Sequence, residues 1–381
     1  MTISFLQHYW WALVSLLGAL LVFLLFVQGG QSLIWVTAKN SQQRSLLVNL
    51  LGHKWELTFT TLVTFGGAIF ASFPLYYSTS FGGAYWLWIT ILLLFVIQAV
   101  SYEFRSKAGN LLGQKTYDGF LFLNGLLGTV LLGVAVGTFF TGGAFIMDKT
   151  ALVHTGGPVI SKWANGWHGL DALAHPFNLL MGVGVYAAAC TMALLFTIQS
   201  IDDAAYKARA LKQLRVVGTV FVLGFVVLLV YLFCLTGYRA DPVTGHVTPQ
   251  THIYLHNMLE LVWPAVILLL GVVLVLWGLG CAFFEKGKYN YWITSIGVVL
   301  AVFPLLICAA FNNTAYFAST VDPHYSLTLV NSSSSIFTLK VMSYVSLLIP
   351  FVLAYIAYVW YVLTKKPMGK TDLEAPDVTV Y

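Results

Sequence analysis

An all-α, polytopic membrane protein with nine transmembrane helices is the fold class this sequence predicts, on three observations. Of 381 residues, 59% are hydrophobic and only 9% are charged, with a mean hydropathy of +0.82. A soluble domain carries about 25% charged residues, so this chain lacks the charge to cover a soluble surface. Several segments exceed the ~18 apolar residues that mark a bilayer span. Lys and Arg, finally, concentrate in alternate connections between those segments.

The nine spans lie at about 8–30, 55–77, 83–103, 118–140, 177–199, 215–236, 259–283, 291–312 and 339–363, with Pro and Gly in the gaps. The first apolar run, Tyr9 to Val27, lacks a basic leader and a small-residue cleavage site, so it reads as a retained span. Residues 40–52, "NSQQRSLLVNLLG", place Leu46, Leu47, Leu50 and Leu51 at helical spacing, the pattern of a short amphipathic helix at the membrane interface. Residues 200–214 read as a helical extension on the same side as that helix. Residues 1–366 form one transmembrane domain, and 367–381 a polar, mobile tail.

Orientation follows from charge. One set of connections holds Lys39, Arg44, Lys54, Arg105, Lys107, Lys115, Lys207, Arg209, Lys212, Arg215, Lys286, Lys288, Lys365, Lys366 and Lys370. The other holds only Lys149, Lys162, Arg239 and Lys340. The basic side is expected to be cytoplasmic, with the N-terminus outside and the C-terminus inside. This asymmetry accounts for the net charge of +5 without invoking nucleic acid.

Polar groups cluster at the cytoplasmic ends of four consecutive spans: Gln28 and Gln31, Glu56, Glu103 and Asp118. A carboxylate in or near a bilayer is costly and usually faces a bundle interior or a water-filled path. The bland readings differ by residue. Asp118 reads best as a helix-start carboxylate favoured by the dipole, and Glu56 admits the same reading. Glu103 can pair with Arg105 or Lys107 in the headgroup region. Glu260 reads as a helix-end residue, and Lys340 as one that snorkels outward.

No metal site is read from the sequence. Cys190, Cys234, Cys281 and Cys308 lie singly in apolar runs and read as packed free thiols. Seven of the nine histidines, His154, His168, His175, His246, His252, His256 and His324, fall in or beside the outer connections; His8 and His53 edge spans 1 and 2. None sits mid-span with a partner, as a bis-histidine haem site would need. Trp and Tyr clusters such as "YWW" at 9–11 and "YWLW" at 85–88 fit interface belts.

Together, "KWELTFTTLVTFGGAIFASFP" and "YEFRSK" resemble the second subunit of cytochrome bd quinol oxidases. So do "YDGFLFLNG" at 117–125, "GVAVGTFFTGGAF" at 133–145, "HPFNLLMGV" at 175–183 and "SLTLVNSSSSIFTLKVMSYVSLLIP" at 326–350. The resemblance implies two four-helix bundles plus one peripheral helix. It implies a multi-pass subunit of the bacterial cytoplasmic membrane, in a heterodimer with a larger partner that holds haem b and haem d. The complex would oxidise quinol and reduce oxygen to water with cytoplasmic protons. Small accessory subunits, membrane lipid contacts and a structural quinone belong to the same expectation.

Carried over residue by residue, Glu56 matches the family's acid after Trp, and Glu103 the acid before Arg-Ser-Lys. Gln28, Gln31, Glu56, Glu103 and Asp118 become proton-path candidates. Trp55, Thr61 and Arg105 become candidates for packing against the partner, a quinone or lipid. Two departures matter. Typical members have Asp-Gly-Phe-Asp where this chain has "QGGQ", Gln28 to Gln31, and many have Arg where this chain has Gln98. An amide can hydrogen-bond water but cannot ionise, so the family's route does not transfer whole. Two other readings stay open at this point: an ion-coupled secondary transporter using Glu56 and Glu103, and a purely structural membrane subunit.

Overall fold

The computed structural model describes residues 2–107, 109–148, 160–364 and 367–369. Among them, eight helices are long and apolar enough to cross a membrane: Ile3–Ser32, Tyr85–Phe104, Gln114–Thr141, Pro176–Ser200, Ala204–Cys234, Trp263–Phe283, Asn290–Ala310 and Ile336–Val362.

The segment read as a span at 55–77 is built differently. Its helix, Trp55–Ser72, has 18 residues and stops at Phe73, because Pro74 disfavours a helical residue before it and supplies no N–H. At 1.5 Å per residue it measures about 27 Å, slightly short of a ~30 Å hydrocarbon core. The chain continues through Pro74–Tyr77 and a π-turn, Ser78–Gly83, into the next span. The last span is interrupted too. Helices Ile336–Ser346 and Ile349–Thr364 meet at Leu347 and Leu348, just before Pro350.

Two elements differ from their sequence reading. The extension at 200–214 and the following span form one unbroken helix, Ala204–Cys234, of 31 residues, started by Asp203, whose side chain accepts from the Tyr206 N–H. The 40–52 segment is helical (Ser41–Gly52, capped by Asn40). Its leucines, however, do not lie on a lipid surface: Leu46, Leu47, Leu50 and Leu51 are buried within the chain. The apolar stripe is satisfied by protein, an outcome periodicity alone cannot distinguish from membrane docking.

The Pro176–Ser200 helix is central. It packs on Thr129–Thr141, Ala204–Cys234 and Phe26–Ser32, while the first span runs beside Asn290–Ala310. The apolar window is 67% buried in Ile3–Ser32, Pro176–Ser200 and Asn290–Ala310, against 22% in Ala204–Cys234 and 11% in the last span. Near the loop-rich end, Trp11 donates to the Leu306 carbonyl at 2.9 Å. Its ring meets those of Phe73, Phe139 and Tyr316 at 5.6, 5.6 and 4.5 Å. Each such aromatic contact adds about 0.5–1.5 kcal/mol beyond area burial. On Ala204–Cys234, Val216, Val220, Leu223, Val227 and Val230 form an exposed apolar row suited to lipid.

The ends of the spans sort into two faces. On the basic face, Arg209 bonds the Thr37 carbonyl at 2.9 Å, Gln43 bonds Asp203 at 3.0 Å, and Arg215 pairs with Glu285 at 3.2 Å. The start of the tail, read as mobile, is pinned there: Met368 N–H donates to Ser200 O at 2.7 Å, and Asp202 N–H to Met368 O at 3.0 Å. Residues 370–381 lie outside the described residues. The opposite face carries two antiparallel ribbons, Phe145–Met147 with Ser161–Trp163 and Thr236–Ala240 with Val247–Thr251. The second is locked by Arg239, which bonds Asn257 at 2.9 Å and Glu260 at 3.4 Å. Glu260, read as a helix-end residue, closes this network.

Gly29 sets the closest approach between the first span and the centre. A Cβ there would fall on the Ala189 carbonyl. Gly29→Ala should therefore separate these helices and lower the melting temperature of the purified protein sharply. Gly224→Ala, whose added methyl meets nothing within 4 Å, should leave it unchanged.

Candidate functional site

Just inside the basic face, four helix segments bring polar side chains together in the interior. Phe26–Ser32 presents Gln28 and Gln31, one turn apart and both buried. Tyr85–Phe104 presents Gln98 and Tyr102, also one turn apart. They meet in pairs: Gln28 Nε2 donates to Gln98 Oε1 at 3.4 Å, and Gln31 Nε2 to the Tyr102 hydroxyl at 2.8 Å. Trp55 stacks on Tyr102 with centroids 5.8 Å apart and planes 14° from parallel. Gln28 and Gln98 thus face each other across the two helices.

Below this amide layer, Arg105 and Asp118 form an ion pair, Nε to Oδ1 2.6 Å, with both side chains 2–3% exposed. Arg105 Nη1 also reaches Ser45 Oγ at 3.4 Å. The pair joins the end of Tyr85–Phe104, the start of Gln114–Leu123 and the Ser41–Gly52 helix. This corrects the dipole reading of Asp118, which is a buried counter-ion beyond the first turn of its helix.

Sequence reasoning placed Arg105 as a packing residue and missed Tyr102, Ser45 and Asn124. Asn124 opens a π-turn, Asn124–Gly128, and is fully buried. Such turns inside α-helices are frequent at functional sites. Gln28 Oε1, Gln31 Oε1, Gln98 Nε2, both Asn124 amide atoms and Trp55 Nε1 are buried without a protein partner. Left dry, each would cost about 1–3 kcal/mol.

The two predicted relay acids lie elsewhere. Glu103 is exposed and pairs with Lys107 at 3.3 Å, one turn along its own helix. Glu56 is exposed in the first turn of Trp55–Ser72. Each is the sequence neighbour of one ring of the Trp55–Tyr102 stack, so the two acids sit at the same level on adjacent helices and point away from the chain's interior. Thr61 is half-buried and donates to the Leu57 carbonyl at 2.7 Å.

Lys54, immediately before Trp55, is a further residue the sequence did not single out. It is 2% exposed, with Nζ 5.4 Å from the Phe196 ring centre and 5.8 Å from that of Trp360. Burial pushes its ammonium down to about 8 from an ordinary 10.5; the two ring faces offset part of that cost.

Among the described residues, no three His, Cys, Asp or Glu side chains assemble a metal site. His154 lies outside the described residues. His8 bonds Ser4 O and His53 bonds Asn49 O at 2.7 Å each. Cys190, Cys234, Cys281 and Cys308 are free thiols.

The comparisons with known proteins agree in extent. The family model described as cytochrome bd terminal oxidase subunit II matches residues 6–363. Cytochrome bd ubiquinol oxidase subunit 2 of Bacillus subtilis is 28% identical over 340 residues, covering 88% of each chain. Cytochrome bd-I ubiquinol oxidase subunit 2 of Escherichia coli is 25% identical over 403 residues, covering 99% of this chain and 98% of its own. A chain of the bd oxidase structure from Geobacillus thermodenitrificans superposes with a TM-score of 0.64 at 14% identity, over 94% of this chain and 98% of that one.

Two measurements test the site. Asp118→Asn leaves the Arg105 charge buried without its counter-ion and should cost about 3–5 kcal/mol, read as lost thermal stability, whereas Arg105→Gln with Asp118→Asn should recover part of it. For Lys54, the folded state disfavours the proton, so its penalty is full below pH 8. As pH rises from about 8 toward 10.5, the unfolded chain holds a proton the folded chain has released, and stability increases. The melting-temperature gap between wild type and Lys54→Met should narrow over that window.

Proposed function

The chain belongs to the cytochrome bd terminal oxidase subunit II family, and from that premise we propose its part in the complex. It supports a larger partner carrying haem b and haem d, at which quinol is oxidised and oxygen reduced to water. It also helps bring in protons from the basic face, which the positive-inside rule makes cytoplasmic.

The observation that carries this reading is the position of Glu56 and Glu103. Both stand at the basic-face end of an otherwise apolar surface formed by Trp55–Ser72 and Tyr85–Phe104, where Val63, Phe70, Leu92, Leu93, Val96 and Val100 are exposed. An apolar face with acids at one end fits a partner surface supplied with protons at that end better than it fits lipid alone. Trp55, at the same level, anchors that face by its stack on Tyr102, and Thr61 lies nearly two turns further along the same helix.

Magnitudes separate the carboxylates. Protonating Asp118 would forfeit a buried ion pair, a loss of about 3–5 kcal/mol, so it serves as a fixed charge that holds Arg105. Glu56 and Glu103 have no such constraint; an exposed one-turn ion pair like that of Glu103 is worth about 0.3–0.5 kcal/mol. They are the groups free to accept and pass a proton. Behind them, Gln28, Gln31, Gln98 and Asn124 cannot ionise, but their unpaired amide atoms can hold bridging water. The relay in this chain therefore runs through acids at its surface and neutral amides inside. Acids at one face, not mid-membrane, also fit poorly with an ion-coupled carrier, whose sites lie near the bilayer midplane.

The tagged chain purified gently from its native membrane should bring down a larger subunit with haem b and haem d bands in a reduced-minus-oxidised spectrum. In that complex, Glu56→Gln and Glu103→Leu should each lower oxygen-reducing turnover by about tenfold or more with the haem spectrum intact. Unchanged turnover and proton uptake would leave these acids a structural role only.

A further inference from the structure

On the loop-rich face, away from the acids, lies a cavity of about 100 Å³. It is bounded by the π-turn at 78–83, the ends of Tyr85–Phe104 and Thr129–Thr141, the first ribbon and the start of Pro176–Ser200. Trp163 forms one wall. It is 6% exposed, and its indole N–H is buried without a protein acceptor. The ring is held in place by Gly143, where a Cβ would come within 2.7 Å of it. His175, on another wall, has a buried Nδ1 that also lacks a protein partner, and burial lowers its basicity below the ordinary 6.5.

The remaining polar atoms supply acceptors. Thr138 Oγ1 gives its proton to Ala135 O at 2.6 Å, and Thr141 Oγ1 gives its own to Asn178 Oδ1 at 2.8 Å. The lone pairs of both hydroxyls are left for an occupant. The Asp171 carboxylate accepts from Gly169 N–H at 3.0 Å and Asn165 Nδ2 at 3.1 Å, with lone pairs to spare. Asn178 is 1% exposed and spends one N–H on Ala172 O at 3.1 Å.

We propose that this cavity is a binding site for a cluster of ordered water molecules, held by the Trp163 indole N–H as donor and by His175, Thr138, Thr141 and Asp171 around it. The volume is several times what one water needs, and the walls offer the two to four partners each water requires. The acceptor-rich wall selects an occupant that donates several hydrogen bonds, which water does and an acyl chain does not. The cluster ends at Trp88. That residue lines this cavity and also a neighbouring one of about 30 Å³ walled by Val22, Leu62, Phe65, Val136 and Leu306. An apolar space of that kind stays dry, so Trp88 marks the inner limit of hydration on this face.

The test is a cryo-EM map of the intact complex at a resolution that shows water. Peaks within hydrogen-bond distance of Trp163 Nε1 and His175 Nδ1 are expected. A cavity without density, or one filled by a lipid chain or a partner side chain, overturns the proposal. A solution measurement tests the same point independently. The ultraviolet resonance Raman difference between the wild-type complex and Trp163→Phe isolates the band that reports indole N–H hydrogen bonding. A hydrogen-bonded position supports the water cluster, and a free-indole position refutes it.

Discussion

The basic-face half of the molecule hangs on one buried ion pair. Arg105 and Asp118 lie thirteen positions apart, across the turn between two spans, and neither reaches solvent. In a low-dielectric interior neither charge is tolerable alone. The pair therefore forces the end of one helix and the start of the next into a single register, and the Ser45 contact brings in the surface helix. That register sets Gln98 and Tyr102 against Gln28 and Gln31. The amide layer is a consequence of the clasp as much as of its own hydrogen bonds.

Hydropathy made the spans legible because the bilayer constrains every residue of a crossing segment in the same way. Local chemistry explains the detail the outline did not show. Proline broke the segments at 55–77 and 339–363, while nothing in residues 200–214 could stop the helix that became Ala204–Cys234. The leucines of Ser41–Gly52 carry an apolar stripe that reads the same whether lipid or protein covers it. The loop-rich ribbons left no hydropathy signal at all.

The site was legible by residue type and only partly by role. Glu103 and Arg105 are two positions apart, hence about 200° apart around a helix, so one of them had to face inward and the other outward. Sequence alone assigned the functional interior to the acid; the structure gives it to the arginine. Asp118 was misread because its partner is distant in sequence. The amides at 28 and 98 looked like two separate losses of charge. In the structure they face each other at 3.4 Å, two neutral side chains that bury no net charge between the helices.

The 31-residue helix Ala204–Cys234 has a mechanical consequence. At 1.5 Å per residue it is about 46 Å long, roughly 16 Å more than the hydrocarbon thickness. Its free end is braced by Arg209 on Thr37 and by Arg215 on Glu285. A continuous hydrogen-bonded helix bends but does not shorten. A push against its basic end is therefore transmitted as a rigid strut to the bilayer centre, whereas the helices interrupted at Phe73 and at Leu347 would absorb the same push as a hinge.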